Sequence, residues 1–257
     1  MNSFRTVAIV AILFCIAGCT SERTNNAPPK NPPANYSDNK DKNPQSSIGS
    51  SQSTSSPSQS VVPIPKIEID RIVYDIDKDR DGIKDADDLI QGGRQQIELK
   101  PEYVVDYYQG GYPPDNIAVC TDIVCRAFKN AGYDLKTMID RDIAKNMKDY
   151  PRVEGKPDPN IDFRRVRNMV PFFKKYALSL TTEIKPHDKK NLVQWQGGDL
   201  VVFYWTGNEH IAIVSDQRNE EGVPYLIHTY GSYPKEDDRL LDWADTIKYH
   251  FRFPKPE

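Results

Sequence analysis

The chain has 257 residues, 38% of them hydrophobic, and a formal net charge of −3. That length and apolar content can bury a sizeable core, which excludes a wholly disordered chain. Neither a basic excess nor a basic stripe with interleaved aromatics is present, which argues against a nucleic-acid partner.

In chain order, the first feature is Arg5 followed by an apolar run from Thr6 to Ala17, too short to span a bilayer as a folded anchor. The run ends in Ile16-Ala17-Gly18-Cys19, which resembles the lipobox of bacterial lipoproteins. The resemblance implies removal of residues 1–18 as a signal peptide, diacylglycerol on Cys19, and a domain tethered to a cell membrane on its periplasmic or outer side. Two or three acyl chains, at about 0.8 kcal/mol per buried CH₂, hold a protein on a membrane persistently. Residues 19–65 are rich in Ser, Pro, Asn, Gln and Lys and almost devoid of large apolar side chains, so they read as a linker without a core of its own. A flexible chain of that length spans roughly 35–40 Å on average. One folded domain is expected over residues 66–257, as a monomer.

That domain opens with Ile67-Glu-Ile-Asp-Arg-Ile-Val-Tyr, which alternates like a strand, and then Asp77-Lys-Asp79-Arg-Asp81-Gly82-Ile83-Lys-Asp85-Ala-Asp87-Asp88. Carboxylates at loop positions 1, 3, 5, 9 and 12 can converge on one hard cation, and a glycine at position 6 permits the sharp turn. The spacing is similar to calcium repeats of the thrombospondin type 3 kind. Asp77, Asp79, Asp81, the Ile83 carbonyl, Asp85 and Asp88 are therefore the expected ligands of a structural calcium ion, the alternative being a solvated acidic turn. No organic cofactor is expected.

Helices are predicted from Asp85 to about Leu99, from Ile117 to Ala131 with Gly132 closing it, from Leu135 to about Lys148, and over a short stretch from Val170 to Tyr176. Strands are predicted over Leu178–Ile184, Asp199–Trp205, His210–Ser215, Pro224–Tyr230 and Ile247–Phe253, with Gln217 to Gly222 as a hairpin loop. Helices first and an antiparallel sheet after them indicate an α+β architecture.

Three residues in this frame carry chemistry. Cys120 stands at the predicted start of a helix, after the turn-rich Gln109-Gly-Gly-Tyr-Pro-Pro-Asp, and His210 and His228 lie on two successive strands. A thiol needs a base to be a strong nucleophile near neutral pH, and the base needs a third group to hold its ring. Cys120 is thus the expected nucleophile, His210 the base and His228 the orienting group. A helix N-terminus and a neighbouring imidazolium would lower the thiol's pKa. The plainer readings are a polar strand-end residue for His210 and a hydrogen-bonded structural residue for His228. Cys125 reads as a buried hydrophobe, because positions i and i+5 of a helix face apart and cannot form a disulfide. Tyr112, in the loop before Cys120, is a candidate substrate contact. Asp122 either pairs with an arginine or lines the pocket. Arg164, Arg165 and Arg167 either hold a substrate carboxylate through bidentate bonds or form a solvated basic face. A zinc site is disfavoured, since no short Cys or His ligand spacing occurs.

The order of Cys120, Gly198-Asp199-Leu-Val-Val-Phe, His210 and His228 resembles the NlpC-type branch of papain-like cysteine hydrolases. A closer resemblance is to the bacterial family known as domain of unknown function 1287. It is carried by Gly110-Gly-Tyr-Pro-Pro-Asp-Asn, Val119-Cys-Thr-Asp, Pro157-Asp-Pro-Asn-Ile-Asp-Phe-Arg-Arg-Val-Arg-Asn, His210-Ile-Ala-Ile-Val-Ser-Asp and Ile227-His. The NlpC likeness implies a papain-like fold and, with the lipid anchor, hydrolysis of an amide bond in peptidoglycan peptides. The three residues alone would serve an acyltransferase or a thioesterase equally well. A catalytically silent wall-binding or adhesion lipoprotein is the reading from another class.

Overall fold

The structure is a computed structural model that describes residues 67–255 apart from Val73. The expected signal peptide, Cys19 and the expected linker lie outside the described residues. Among those described, no helix is long and apolar enough to cross a membrane.

The architecture is α+β. Helices α1 (Asp85–Leu99), α2 (Cys120–Asn130), α3 (Leu135–Asn146) and α4 (Val166–Tyr176) precede most of the sheet, and the single-turn α5 (Lys189–Leu192) leads into it. The strands are β1 (Leu178–Ser179), β2 (Leu200–Trp205), β3 (Asn208–Arg218), β4 (Pro224–Thr229), β5 (Pro234–Asp237) and β6 (Ile247–Arg252). They form one sheet in the order β1-β6-β2-β3-β4-β5, every neighbouring pair antiparallel.

Side-chain alternation divides the sheet into two buried faces. Leu200, Val202, Ile211, Ile213, Ile227 and Phe251 face the helices and pack with Val124, Phe128, Ile139 and Phe173. Val201, Phe203, Ala212, Val214 and Leu226 face the other way, against Trp195, Leu240 and Trp243. Burying a large apolar side chain stabilises by about 1.5–3 kcal/mol, so both layers matter to the sheet.

Helix α1 lies antiparallel to α2, with Asn130 reaching Asp88 and Arg126 reaching Gln96. The pair sits close because α1 contains Gly92 and Gly93. A Cβ on Gly92 would fall 2.8 Å from the Ala127 Cα, and one on Gly93 2.9 Å from the Ile227 Cγ2. Each glycine costs a helix interior roughly 1 kcal/mol relative to alanine, and the close approach to α2 and β4 uses the room it leaves.

Several elements differ from the sequence-based expectation. The described residues of the segment from Ile67 to Tyr74 form no strand, α2 starts at Cys120 rather than Ile117, and the single turn α5 was not expected. The strand predicted over Leu178–Ile184 is confined to Leu178–Ser179. Helix α4 starts at Val166 rather than Val170, and Pro171 lies inside it. The apolar face of Val166, Met169, Val170 and Phe173 is buried along the helix, which offsets the one backbone bond that Pro171 cannot make. The edge strand β5 was not expected at all.

Candidate active site

Helix α2 begins at Cys120, with Val119 in extended conformation before it. Asp122 secures that start: it accepts a hydrogen bond from the Val119 backbone N–H at 2.8 Å, the N-terminal cap that a third-position acid can supply. Arg164 donates to both Asp122 oxygens, at 2.7 and 2.9 Å, and to the Asp106 carbonyl at 3.0 Å. The two side chains are 2% and 1% exposed. Thr121 donates to the Arg164 carbonyl at 3.0 Å, so the first turn of α2 is pinned to the short turn Asp162–Arg164.

This geometry decides the open reading of Asp122 in favour of an arginine pair. It also corrects the expectation for Arg164, whose guanidinium is committed inside the protein and does not await a substrate carboxylate. Arg165 pairs with Asp162 at 2.8 Å and with the Arg152 carbonyl, so it too is engaged. Arg167 pairs with Glu209.

Cys120 is buried, with 7% of the residue exposed, and its sulfur lies against the backbone N–H of Ile211, the residue after His210. Burial pushes the thiol up to about 11, although the N–H groups of Ile211, Thr121 and Cys120 itself act in the opposite direction. The resting group is therefore a thiol. The depressed pKa expected from an imidazolium neighbour is absent: no histidine acts on the sulfur, and His210 is itself neutral, since burial, then repulsion from His228, lowers its pKa well below the ordinary value. No hydrogen bond joins the sulfur to either imidazole among the described residues. Cys125 is buried and unpaired by any disulfide, as expected for a packing residue.

The two histidines meet. The two-residue turn Thr206-Gly207 starts β3 within reach of β2, and His210 follows with its ring on the face opposite the helices. His210 Nε2 lies 3.1 Å from His228 Nδ1, and His228 Nε2 lies 3.0 Å from Asp237 Oδ1. Asp237 stands across from Leu226 in the β4–β5 register, on the same face as His228 and two residues along. Trp243 meets both imidazoles edge-on, with centroids at 5.6 and 5.1 Å, and Tyr230 closes the same cage. Burial lowers the His228 pKa, against the pull of Asp237. Burial would raise Asp237, but His228 and Lys235 outweigh it and keep the group a carboxylate.

That carboxylate sets the protons of the whole chain. An ionised Asp237 can only accept, so the neutral His228 must carry its proton on Nε2 and offer Nδ1 as acceptor. His210 must then donate from Nε2, and its Nδ1 is left as a lone pair. The tautomers follow from the bonding network.

Two further placements differ from the sequence reading. Tyr112 stacks edge-on against Phe163 at 5.2 Å and lies 3.4 Å from Asp134, the cap of α3, with Cys125 the nearest thiol to it. It is Tyr103 that stands beside Cys120 and Tyr230, where burial raises its phenol pKa and keeps it protonated. Its backbone N–H donates to the Ser232 carbonyl at 3.0 Å. Sequence reasoning missed Tyr103 and Asp237. Neither lies in a motif, and only the β4–β5 pairing brings Asp237 to the histidines. His250 stacks on Trp195 at 3.9 Å and bonds Asp199 at 2.9 Å, while His187 lies exposed in a loop.

At the other end of α2, Asp77, Asp79 and Asp81 each offer an oxygen within 4.8 Å of one another. Asp88 is 2% exposed; burial, then Asp81 and Asp79, push its pKa up to about 6. Asp85 differs from the expected ligand set. One of its oxygens accepts from the Lys78 backbone at 2.7 Å and the other from the Tyr133 hydroxyl, so both are taken by protein.

Residues 90–253 match the family described as "Domain of unknown function (DUF1287)". The chain is 35% identical over 172 residues to "Uncharacterized protein YijF" of Escherichia coli (strain K12), an overlap covering 64% of this chain and 80% of the relative. No solved structure matches the chain. The motifs around Cys120, His210 and His228 all fall inside the matched span, and the chain belongs to the DUF1287 family.

Proposed function

We propose that the chain is a thiol hydrolase of papain-like, NlpC-type fold that cleaves an amide bond of peptidoglycan peptides while tethered to a membrane through Cys19. The observation that carries this reading is the ordered chain Asp237–His228–His210, which leaves His210 Nδ1 as a lone pair. The rings stand on the sheet face opposite the helices and the Cys120 sulfur lies against the N–H of the next residue, Ile211, so the cycle needs a relay around the start of β3. A chain of two imidazoles ending in a carboxylate has little to add to packing, but it prepares a base in one tautomer.

In the proposed cycle the Cys120 sulfur attacks the amide carbonyl as its proton passes, through a water, to His210 Nδ1. The imidazolium so formed is stabilised through His228 by Asp237. His210 then gives the proton to the departing amine, leaving a thioester on Cys120. Water, deprotonated by the same nitrogen, releases the carboxylic acid and restores the thiol. The Cys120 backbone N–H at the open helix start serves the developing oxyanion, and the protonated Tyr103 phenol is the candidate second donor. The lipobox-like Cys19, the long linker and the NlpC resemblance support peptidoglycan as substrate, without a nucleic-acid or organic-cofactor partner.

The near-complete burial of the thiol and its raised pKa favour one second reading, a silent wall-binding lipoprotein that retains the fold. Purified sacculi separate the two. The wild type should release new amines or soluble muropeptides and Cys120→Ala should not. Intact sacculi between pH 5 and 8, with binding retained, would overturn the hydrolase.

A further inference from the structure

We propose that loop 77–88 is a calcium site formed by Asp77, Asp79, Asp81, the Ile83 carbonyl and the buried carboxylate of Asp88, and that the bound ion braces the far end of the helix that carries Cys120. The inference is independent of any catalytic role for that cysteine. The loop also precedes the family match, which starts at residue 90.

Sequence spacing alone would leave an acidic turn. The structure adds an oxygen that requires explanation. Asp88 is almost fully buried, and its Oδ2 has no hydrogen-bond partner; Asp77 Oδ1 is likewise buried and without one. Buried carboxylate oxygens are costly to leave unsatisfied; Asp77 belongs to the cluster with Asp79 and Asp81, and the charges of those two repel that of Asp88. The other carboxylate oxygens shape the loop: Asp77 Oδ2 accepts from Gly82 at 3.0 Å and Asp81 Oδ1 from Ile83 at 2.8 Å. Gly82 takes the positive φ of +95° that the turn demands. Oxygen-only donors with four carboxylates suit calcium, which accepts irregular coordination of six to eight oxygens, better than magnesium, which demands a near-ideal octahedron and keeps its water.

The loop is joined to α2 at its C-terminal end. Asn130 donates to the Asp88 carbonyl at 3.0 Å. The Tyr133 hydroxyl bonds Asp85, and Lys78 lies over the Tyr133 ring. Gly132 is in contact with the loop itself, since a Cβ there would stand 2.8 Å from the Asp79 Cβ. An ion drawing Asp79 and Asp88 together therefore tightens the turn that ends α2, roughly 15 Å along the helix from Cys120 at 1.5 Å per residue.

The test uses the whole chain freed of metal with a chelator, then titrated with calcium or magnesium up to about 10 mM, above the weak end of the range for extracellular calcium modules. Calcium should release or absorb heat in a saturable step and raise Tm by several degrees. Asp79→Asn with Asp81→Asn should abolish both effects. Asp88→Asn should weaken calcium binding at least tenfold while raising the Tm of the metal-free protein, because the amide removes a repelled charge. Asp85→Asn should bind calcium within a few-fold of the wild type. Backbone hydrogen exchange at Asn130 to Tyr133 should slow on addition of calcium. An unchanged wild type in saturating calcium would overturn the site, and an equal response to magnesium would overturn its assignment to calcium. Full-strength binding by Asp88→Asn would remove that residue from the ligand set, and binding without slower exchange would remove the brace.

Discussion

Asp237→Asn probes the proton chain at the point where the structure says its direction is decided. The Oδ1 of Asp237 faces His228 Nε2 at 3.0 Å, while Oδ2 faces Lys235 at 2.9 Å and Arg239 at 3.5 Å. An asparagine must choose which of these positions receives its oxygen. Two cations require an acceptor, so the oxygen goes to Lys235 and Arg239 and the amide nitrogen turns to His228. His228 Nε2 must then accept, its proton moves to Nδ1, and His210 is left with a proton on the nitrogen meant to act as base. The charge-assisted bond to His228 that is lost is worth about 1.5–3 kcal/mol, a factor of roughly 10 to 150. Where an Asp→Asn exchange in a Ser-His-Asp enzyme enforces the wrong tautomer, kcat falls about 10⁴-fold. With two rings to reverse in place of one, kcat of Asp237→Asn on peptidoglycan peptides should fall between about 10² and 10⁴-fold. Tm should move little, since Asp237 is 23% exposed and keeps its other partners. Steady-state kinetics checks the rate, and ¹⁵N chemical shifts of the two imidazoles check the tautomers. Activity within about threefold of the wild type, or a His210 Nδ1 still unprotonated in the variant, would refute the argument.

Two predictions concern pH. With its pKa raised to about 11 by burial, Cys120 should react with iodoacetamide about tenfold faster per pH unit from pH 7 to 9, with no plateau near pH 6; a plateau would reveal an ion pair in place of the neutral thiol and imidazole. His210 and His228 have lowered folded pKa values, so below about 6.5 the unfolded chain binds protons that the folded chain refuses, and stability must fall as pH drops through that window. The two rings contribute a limiting slope of about 2.7 kcal/mol per pH unit, twice the single-proton value, against which Asp88, raised to about 6, works at the acid end. In urea melts between pH 5 and 7 the slope of His228→Gln should be smaller than that of the wild type by about 1.4 kcal/mol per pH unit, and equal slopes would show that the ring is already charged.

The sequence was most legible where local chemistry and tertiary role agree. The turn-rich segment ending in Asp115 and the apolar spacing after it placed Cys120 at a helix start, and alternation around His210 and His228 placed both on neighbouring strands. Helix α1 was legible end to end, although its two glycines argue for interruption until their contacts with Ala127 and Ile227 are known. Strand β5 was hidden because Pro234-Lys-Glu-Asp has no apolar alternation. It is an edge strand, where proline and charge are the normal means of blocking a further partner. Asp237 was lost with it. For Asp85, spacing gave the carboxylate a loop position but could not reveal that Lys78 and Tyr133 already occupy both oxygens. Arg164 posed the same problem, since nothing in a run of three arginines marks which one turns inward to Asp122.

That inward arginine constrains how the chain can change over generations. Asp122 and Arg164 neutralise each other out of reach of water, and losing one partner strands a lone ion in the interior at a cost of about 3–5 kcal/mol, a large part of the roughly 5–15 kcal/mol that holds a domain together. Each single substitution is therefore a valley. Replacing both together by apolar groups of matching volume would be far less harmful to the fold, but would cut the cap off the helix at Val119. The two positions, 42 residues apart, should thus drift as a unit or not at all.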